Sequence, residues 1–227
     1  NDAPPTVSLA VSPSSVSENG AISTVTASLN TLAGQNVSVS LGITGTATPN
    51  TDFTLGGTIT IIAGNISGSI TLTAVNDAID EADETVTIQI ASVTNATATG
   101  TPVIVTISDD DAQPSVSLSI GGTPIAEAGG TTTVTATINA VSGLDVTVTL
   151  GKGGTATETS DYTLAGTIAI TAGNTSVTTT LTAVADVLDE SGETVVISIS
   201  GLTNGTNSSS PQTVTITDDD EAPTVIL

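Results

Sequence analysis

Residues 70–90 read Ile70-Thr71-Leu72-Thr73-Ala74-Val75-Asn76-Asp77-Ala78-Ile79-Asp80-Glu81-Ala82-Asp83-Glu84-Thr85-Val86-Thr87-Ile88-Gln89-Ile90. Both flanks alternate an apolar residue with a polar one, the two-residue period of a strand with one buried face. The segment between them, Asn76 to Glu84, holds five carboxylates in nine residues. This is strand, acidic loop, strand. Charges packed this closely repel one another, so the loop needs either water or cations.

The same alternation extends outward in both directions. Val7, Leu9 and Val11 make a first run. Val25, Ala27 and Leu29 make a second, and Val37, Val39, Leu41 and Ile43 a third. Ile59 and Ile61 form a fourth, and Ile70 to Ala74 a fifth. Val86, Ile88 and Ile90 form a sixth, and Val103, Val105 and Ile107 a seventh. Gly, Asn and Pro punctuate the runs. Seven short strands in about 110 residues, without a helical period, predict an all-β fold: a seven-stranded antiparallel sandwich of immunoglobulin type.

The pattern then repeats at an offset of 109 residues. Glu18 matches Glu127, Asp52 matches Asp161, Asp77 matches Asp186 and Glu84 matches Glu193. The triplet Asp109-Asp110-Asp111 matches Asp218-Asp219-Asp220. Two tandem sandwiches are therefore expected, at 1–111 and 112–220. Residues 221–227 read as the first strand of a third copy or a tail strand, because Ala222-Pro223-Thr224-Val225 resembles Pro4-Pro5-Thr6-Val7.

Composition narrows the function. Against 23 acidic residues there is one base, Lys152, for a formal charge of −22. That balance excludes nucleic-acid binding, which relies on Lys and Arg neutralising phosphates. It also disfavours anionic membrane surfaces, and no apolar run is long enough to insert into a bilayer. His and Cys are absent, which removes the usual zinc ligands and thiol or imidazole nucleophiles. Paired carboxylates can hydrolyse glycosides, but the chain has one Phe and one Tyr with which to stack sugars. Phe53 and Tyr162 read as rings packed beneath a loop, and no enzyme is expected. The chain opens on Asn1 and holds no Met, so it reads as a processed product or a piece of something longer.

In a sandwich the first, third, fifth and seventh runs point one way. Glu18, Asp52, the 76–84 loop and the Asp triplet follow those runs, so all four segments are expected at one pole. Turns at the opposite pole of the first copy hold no acid. A solvated acidic surface needs no such gathering. Hard divalent cations do, and calcium takes six to eight oxygen ligands in flexible geometry, enough for about two or three ions per copy. The expected carboxylate ligands are Glu18, Asp52, Asp77, Glu81, Glu84, Asp109, Asp110 and Asp111. Their counterparts are Glu127, Asp161, Asp186, Glu190, Glu193, Asp218, Asp219 and Asp220, and Asn76 adds an amide oxygen.

Four ordered motifs carry a family resemblance. Ser17-Glu18-Asn19-Gly20, Thr51-Asp52-Phe53, Asn76 to Glu84 and Asp109 to Asp111 resemble a Calx-beta domain, and the second copy repeats them. The resemblance implies a calcium-binding sandwich with backbone carbonyl ligands from Ile79 and Leu188. Ala185 stands where the first copy has Asn76, so fewer or weaker ions are expected in the second copy. The resemblance and the composition together suggest a calcium-stiffened rod segment of a secreted or cell-surface adhesin or matrix protein, its partners being neighbouring repeats of the same chain. Two alternatives stand beside it. One is a filament subunit donating its tail strand to an identical chain; the other is a calcium-sensing regulatory module.

Overall fold

The computed structural model describes residues 3–225, and the chain divides into two compact units, Asn1–Asp111 and Ala112–Leu227. All regular structure among the described residues is β. No helix among them is long and apolar enough to cross a membrane.

Unit 1 is built from ten strands. They are β1 (Thr6–Ser12), β2 (Ser15–Ser17), β3 (Ile22–Leu29), β4 (Val37–Gly45), β5 (Phe53–Leu55), β6 (Thr58–Ile61), β7 (Ser67–Ala74), β8 (Glu84–Thr94), β9 (Thr97–Ala98) and β10 (Val103–Ser108). One sheet has the order β5-β7-β3-β1-β9 and the other β2-β10-β8-β4-β6. Unit 2 repeats this with β11 (Ser115–Ile120), β12 (Ile125–Ala126), β13 (Thr131–Ile138), β14 (Val146–Gly154), β15 (Tyr162–Thr163), β16 (Thr167–Ile170), β17 (Ser176–Ala183), β18 (Glu193–Thr203), β19 (Thr206–Asn207) and β20 (Gln212–Thr217). Its sheets run β15-β17-β13-β11-β19 and β12-β20-β18-β14-β16.

The strand count corrects the expectation of seven per copy. The first expected strand is two. Pro13 has no N–H to give a ladder, so β1 ends at Ser12 against β3, and β2 resumes on the other sheet, parallel to β10. In unit 2 the interruption is Gly121 to Pro124. The short strands β5 and β9 are the other additions. Each is too brief to show a period in sequence.

The alternating residues are the core. Val7, Val25, Ala27, Val37, Val39, Ile59, Ile61, Leu72, Val86, Ile88, Val105 and Ile107 pack together in unit 1, and their counterparts do so in unit 2. Fully burying such a side chain contributes about 1.5–3 kcal/mol relative to leaving it exposed. Ser and Thr occupy most of the outward positions. The third run continues through a register shift between Ser40 and Leu41 in the pairing of β4 with β8. This bulge bends the strand before it reaches the acidic pole.

Candidate metal centre

Backbone hydrogen bonds assemble the acidic pole. β1, β4, β7 and β10 all run towards it, since β3 and β8 are antiparallel to their neighbours. Glu18 N–H donates to the Ser108 carbonyl at 2.9 Å, joining the segment after β2 to the end of β10. Val75 N–H donates to the Asp52 carbonyl at 2.9 Å, joining the segment after β7 to the loop after β4. Unit 2 repeats both bonds, Glu127 to Thr217 at 3.0 Å and Val184 to Asp161 at 2.9 Å.

Each loop has a local reason for its shape. Gly45 ends β4 at φ 138°, and a Cβ there would lie 2.0 Å from the Thr85 carbonyl oxygen. Only glycine allows that approach. The Thr85 oxygen then accepts from Thr46 N–H at 3.0 Å and Ala47 N–H at 3.2 Å, which starts the loop towards Asp52. Asp52 closes that loop on itself, accepting from Thr48 N–H at 2.5 Å. Phe53, 1 % exposed, anchors the next residue in the core, and Tyr162 does the same at 2 %. The rings are thus packing groups beneath Asp52 and Asp161. In the acidic loop, Asp77 Oδ1 accepts from Ile79 N–H at 2.8 Å, an Asx turn. Asp186 repeats it with Leu188 at 2.8 Å.

The carboxylates among the described residues gather into one tight group in unit 1 and two in unit 2. In unit 1, ligand oxygens of Glu18, Asp109 and Asp111 lie within 4.8 Å of one another. In unit 2 the corresponding set is Glu127, Asp186 and Asp220. Asp161, Glu190 and Glu193 form a second such set. At the matching place in unit 1, Glu84 donates to Asp52 and Glu81 is close enough to repel Glu84, without the three oxygens meeting as closely.

The electrostatics are those of crowded, partly buried carboxylates. Glu18 is 8 % exposed and Glu127 6 %. Burial pushes the Glu18 carboxyl up, and repulsion from Asp77, Asp109 and Asp111 adds to it, against the lowering effect of the Asp77 N–H. Burial likewise raises Glu81, Asp109, Glu127 and Glu190, each with acidic neighbours adding to the rise. Glu84 is pushed up to about 7 by burial, by donating to Asp52, and by the charges of Asp52, Glu81 and Glu18. Glu193 rises to about 7 for the matching reasons, with Asp161 as its partner. The chain's single base is no help. Lys152 Nζ binds Glu158 and the Leu164 carbonyl.

These residues fit calcium. All the donors are oxygens, and a 4.8 Å spread is about what one ion bridges with bonds of about 2.3–2.6 Å to each side. Removing water from several carboxylates with no cation to offset them is costly. A hard divalent ion answers that cost.

Not every expected ligand is brought in. Asp109 and Asp111 are half-buried, while Asp110 between them is exposed and belongs to no group. Asp219 stands in the same way between Asp218 and Asp220. Asp218 lies outside the grouped oxygens but accepts from Glu190 N–H at 3.3 Å, as Asp109 accepts from Glu81 N–H at 3.2 Å. Asn76 is exposed and donates from Nδ2 to the Asp77 carbonyl at 2.6 Å. Ile79 and Leu188 enter the loops through their N–H groups as described. One contributor was not foreseen: Asp83 Oδ1 accepts from Asp109 N–H at 3.2 Å. Unit 2 has Gly192 at that position. The density of acids in the loop was the only sequence signal for it.

The Calx-beta domain profile matches residues 1–111 and again 109–220. The chain belongs to the Calx-beta family. Calx-beta domains are calcium-binding modules rather than catalysts, and this Calx-beta chain carries two in tandem. No curated protein matches it in sequence. Solved structures similar to it include CBD12 from CALX1.2, at 20 % identity over 85 % of this chain and 80 % of that one, TM-score 0.42. The apo form of the Calx CBD1 domain is similar at 22 % identity over 48 % of this chain and 100 % of that one, TM-score 0.42. CBD12 of CALX1.1 is similar at 18 % identity over 89 % and 96 %, TM-score 0.40.

Proposed function

We propose that this Calx-beta pair is a calcium-stiffened rod segment of a secreted or cell-surface adhesin or matrix protein, with neighbouring repeats of its own chain as partners. The observation that carries the reading is the gathering of carboxylates from four chain segments onto one pole of each unit. Glu18, Asp77, Asp109 and Asp111 would hold calcium in one group, and Asp52, Glu81 and Glu84 in the other. Unit 2 would use Glu127, Asp186, Asp218 and Asp220, with Asp161, Glu190 and Glu193. About two or three ions per domain suit that number of oxygens. Bound calcium supplies positive charge that offsets the mutual repulsion. The carboxylates then tie their four loops together.

The stiffening follows from chain order. Asp109 to Asp111 directly follow β10, the last strand of unit 1, and only Ala112-Gln113-Pro114 separates them from Ser115, where β11 begins. A ligand set that includes the last residues before a three-residue linker restrains that linker. Extracellular calcium modules bind at about 10⁻⁴–10⁻³ M and are therefore filled outside cells.

The test is calorimetric titration with calcium, paired with thermal melts in chelator and in millimolar calcium. Several ions binding in the range of about 10⁻⁴–10⁻³ M, with a large rise in melting temperature, support the rod. Binding near about 10⁻⁷–10⁻⁵ M with a change of shape supports the sensing module instead. A melt indifferent to chelator overturns both. The expected tail strand falls partly on residues 226–227, outside the described residues, and Ala222 to Val225 form no strand.

A further inference from the structure

The loop that carries Asp161 folds like its counterpart in unit 1, but from residues that favour it less. Asn50 N–H donates to the Phe53 carbonyl at 2.8 Å, and Thr159 N–H to the Tyr162 carbonyl at 2.8 Å. Asp52 N–H donates to the Thr48 carbonyl at 3.0 Å, and Asp161 N–H to the Thr157 carbonyl at 2.9 Å. In both units the residue two before the aspartate is left-handed, Asn50 at φ 68° and Thr159 at φ 75°. Unit 1 meets this with Pro49-Asn50. Proline fixes its own φ, and asparagine is among the residues that accept a left-handed backbone. Unit 2 has Glu158-Thr159 there. Glutamate fixes nothing, and a β-branched threonine resists positive φ.

A tether that unit 1 lacks stands beside this strained turn. Lys152, on β14, donates from Nζ to the Leu164 carbonyl at 2.6 Å and to the Glu158 carboxylate. Leu164 is buried and directly follows β15. The ammonium therefore ties together the strand before the loop, the neighbour of Thr159, and the segment after the loop. An exposed ion pair holds little by itself. Here the Lys152 side chain is only 16 % exposed, and the carbonyl fixes where its charge sits. Unit 1 has Ile43 in place of Lys152. The two units thus differ at three linked positions: one turn is held by its own residues, the other by a base and an acid.

We propose that Lys152 is a positioning residue. Through Glu158 it holds the Thr159 turn, and so fixes where Asp161 stands beside Glu190 and Glu193. The proposal rests on the calcium reading of that group. Neither Glu158 nor Leu164 belongs to the grouped oxygens, so Lys152 acts on the loop and not on the ion.

Charge and position predict opposite signs for Lys152→Ile, which installs the unit 1 residue. Deleting the base makes an acidic pole more negative, and that alone tightens calcium binding. Losing the tether weakens it. Calorimetry on the full chain should show calcium affinity at the Asp161 group falling about tenfold, the lower end for contacts that support a metal ligand. In an Asp161→Asn background the same substitution should no longer lower the affinity, since the residue it acts through is gone. Lys152→Ile combined with Glu158→Pro and Thr159→Asn transplants the unit 1 turn and should recover most of the loss. An affinity unchanged or higher in Lys152→Ile overturns the proposal, as does a loss that persists in Asp161→Asn or in the transplanted turn. Amide exchange of the metal-free chain gives a reading that needs no calcium. Thr159 and Asp161 should exchange about tenfold faster in Lys152→Ile, with Asn50 and Asp52 unchanged. A wild-type chain that takes no calcium defeats the calcium reading, whereas unaltered exchange defeats the hold of Lys152 on the loop.

Discussion

Asp77 N–H donates to Glu18 Oε1 across 59 residues of sequence, at 3.1 Å, and Asp186 repeats the bond to Glu127 at 3.2 Å. An acidic loop is thereby held against a buried carboxylate of another segment. That Glu is both a structural acceptor and a charge.

The two roles separate in Glu18→Gln. The amide oxygen still accepts from Asp77, while the charge is gone. Calcium affinity of unit 1 should fall by about tenfold or more, because ligand charge sets affinity in such sites. The metal-free melting temperature should rise, because Asp77, Asp109 and Asp111 lose a repelling neighbour. Calorimetry and melts in chelator read both. A metal-free protein that becomes less stable would show that the charge is already compensated.

The pH dependence should invert between the two states. Glu84 and Glu193 are raised to about 7 from an ordinary 4.5. A raised carboxyl binds its proton more tightly folded than unfolded. Its relative contribution to stability is full below about 4.5 and is lost as pH rises through about 7. Metal-free protein should therefore melt higher at pH 5 than at pH 8. With calcium, protons compete with the metal for the carboxylates, so the stabilisation by calcium should shrink over the same descent. Melts on a pH series, with and without chelator, check this.

The parity of the triplets gives a sharp comparison. Asp110→Asn and Asp219→Asn should leave calcium binding within about twofold of wild type. Asp109→Asn and Asp111→Asn should weaken it by about tenfold or more. Equal effects at all three positions would show that the outward residue also takes a ligand role.

Gly45→Ala places a Cβ 2.0 Å from the Thr85 oxygen, at a φ that alanine avoids. We expect a loss of about 2 kcal/mol or more in stability. Calcium binding should weaken along with it, because Thr46 to Asp52 leave from this point. Gly154→Ala, where the approach to the Thr194 oxygen is 2.1 Å, should act the same way on unit 2. Denaturant unfolding with a calcium titration measures both consequences.

Much of this was legible in the residues. Val37, Val39, Val86 and Ile88 declare a two-residue period, and all four are fully buried. The acids after Val11, Ile43, Ala74 and Ile107 follow from strand direction alone. Two things were harder to read. The short strands at Phe53–Leu55 and Thr97–Ala98 have no room to show a period. They form because β7 and β1 offer open edges. Asp110 was legible in principle, since neighbours in an extended chain face opposite ways. Asp83 was not, because its bond to the Asp109 N–H depends on how the loop returns.

The break at Pro13 has a mechanical consequence. It leaves β2 parallel to β10 through Ser15↔Thr106, Val16↔Ile107 and Ser17↔Ser108. A pull along the chain draws the start of unit 1 and the end of β10 in opposite directions along that pair. The load therefore falls in shear on these backbone bonds together, rather than peeling them one at a time. Glu18, immediately after β2, reaches the grouped carboxylates beside Asp109 and Asp111, so a cation held by that group would brace the same clasp that a pull along the chain would load.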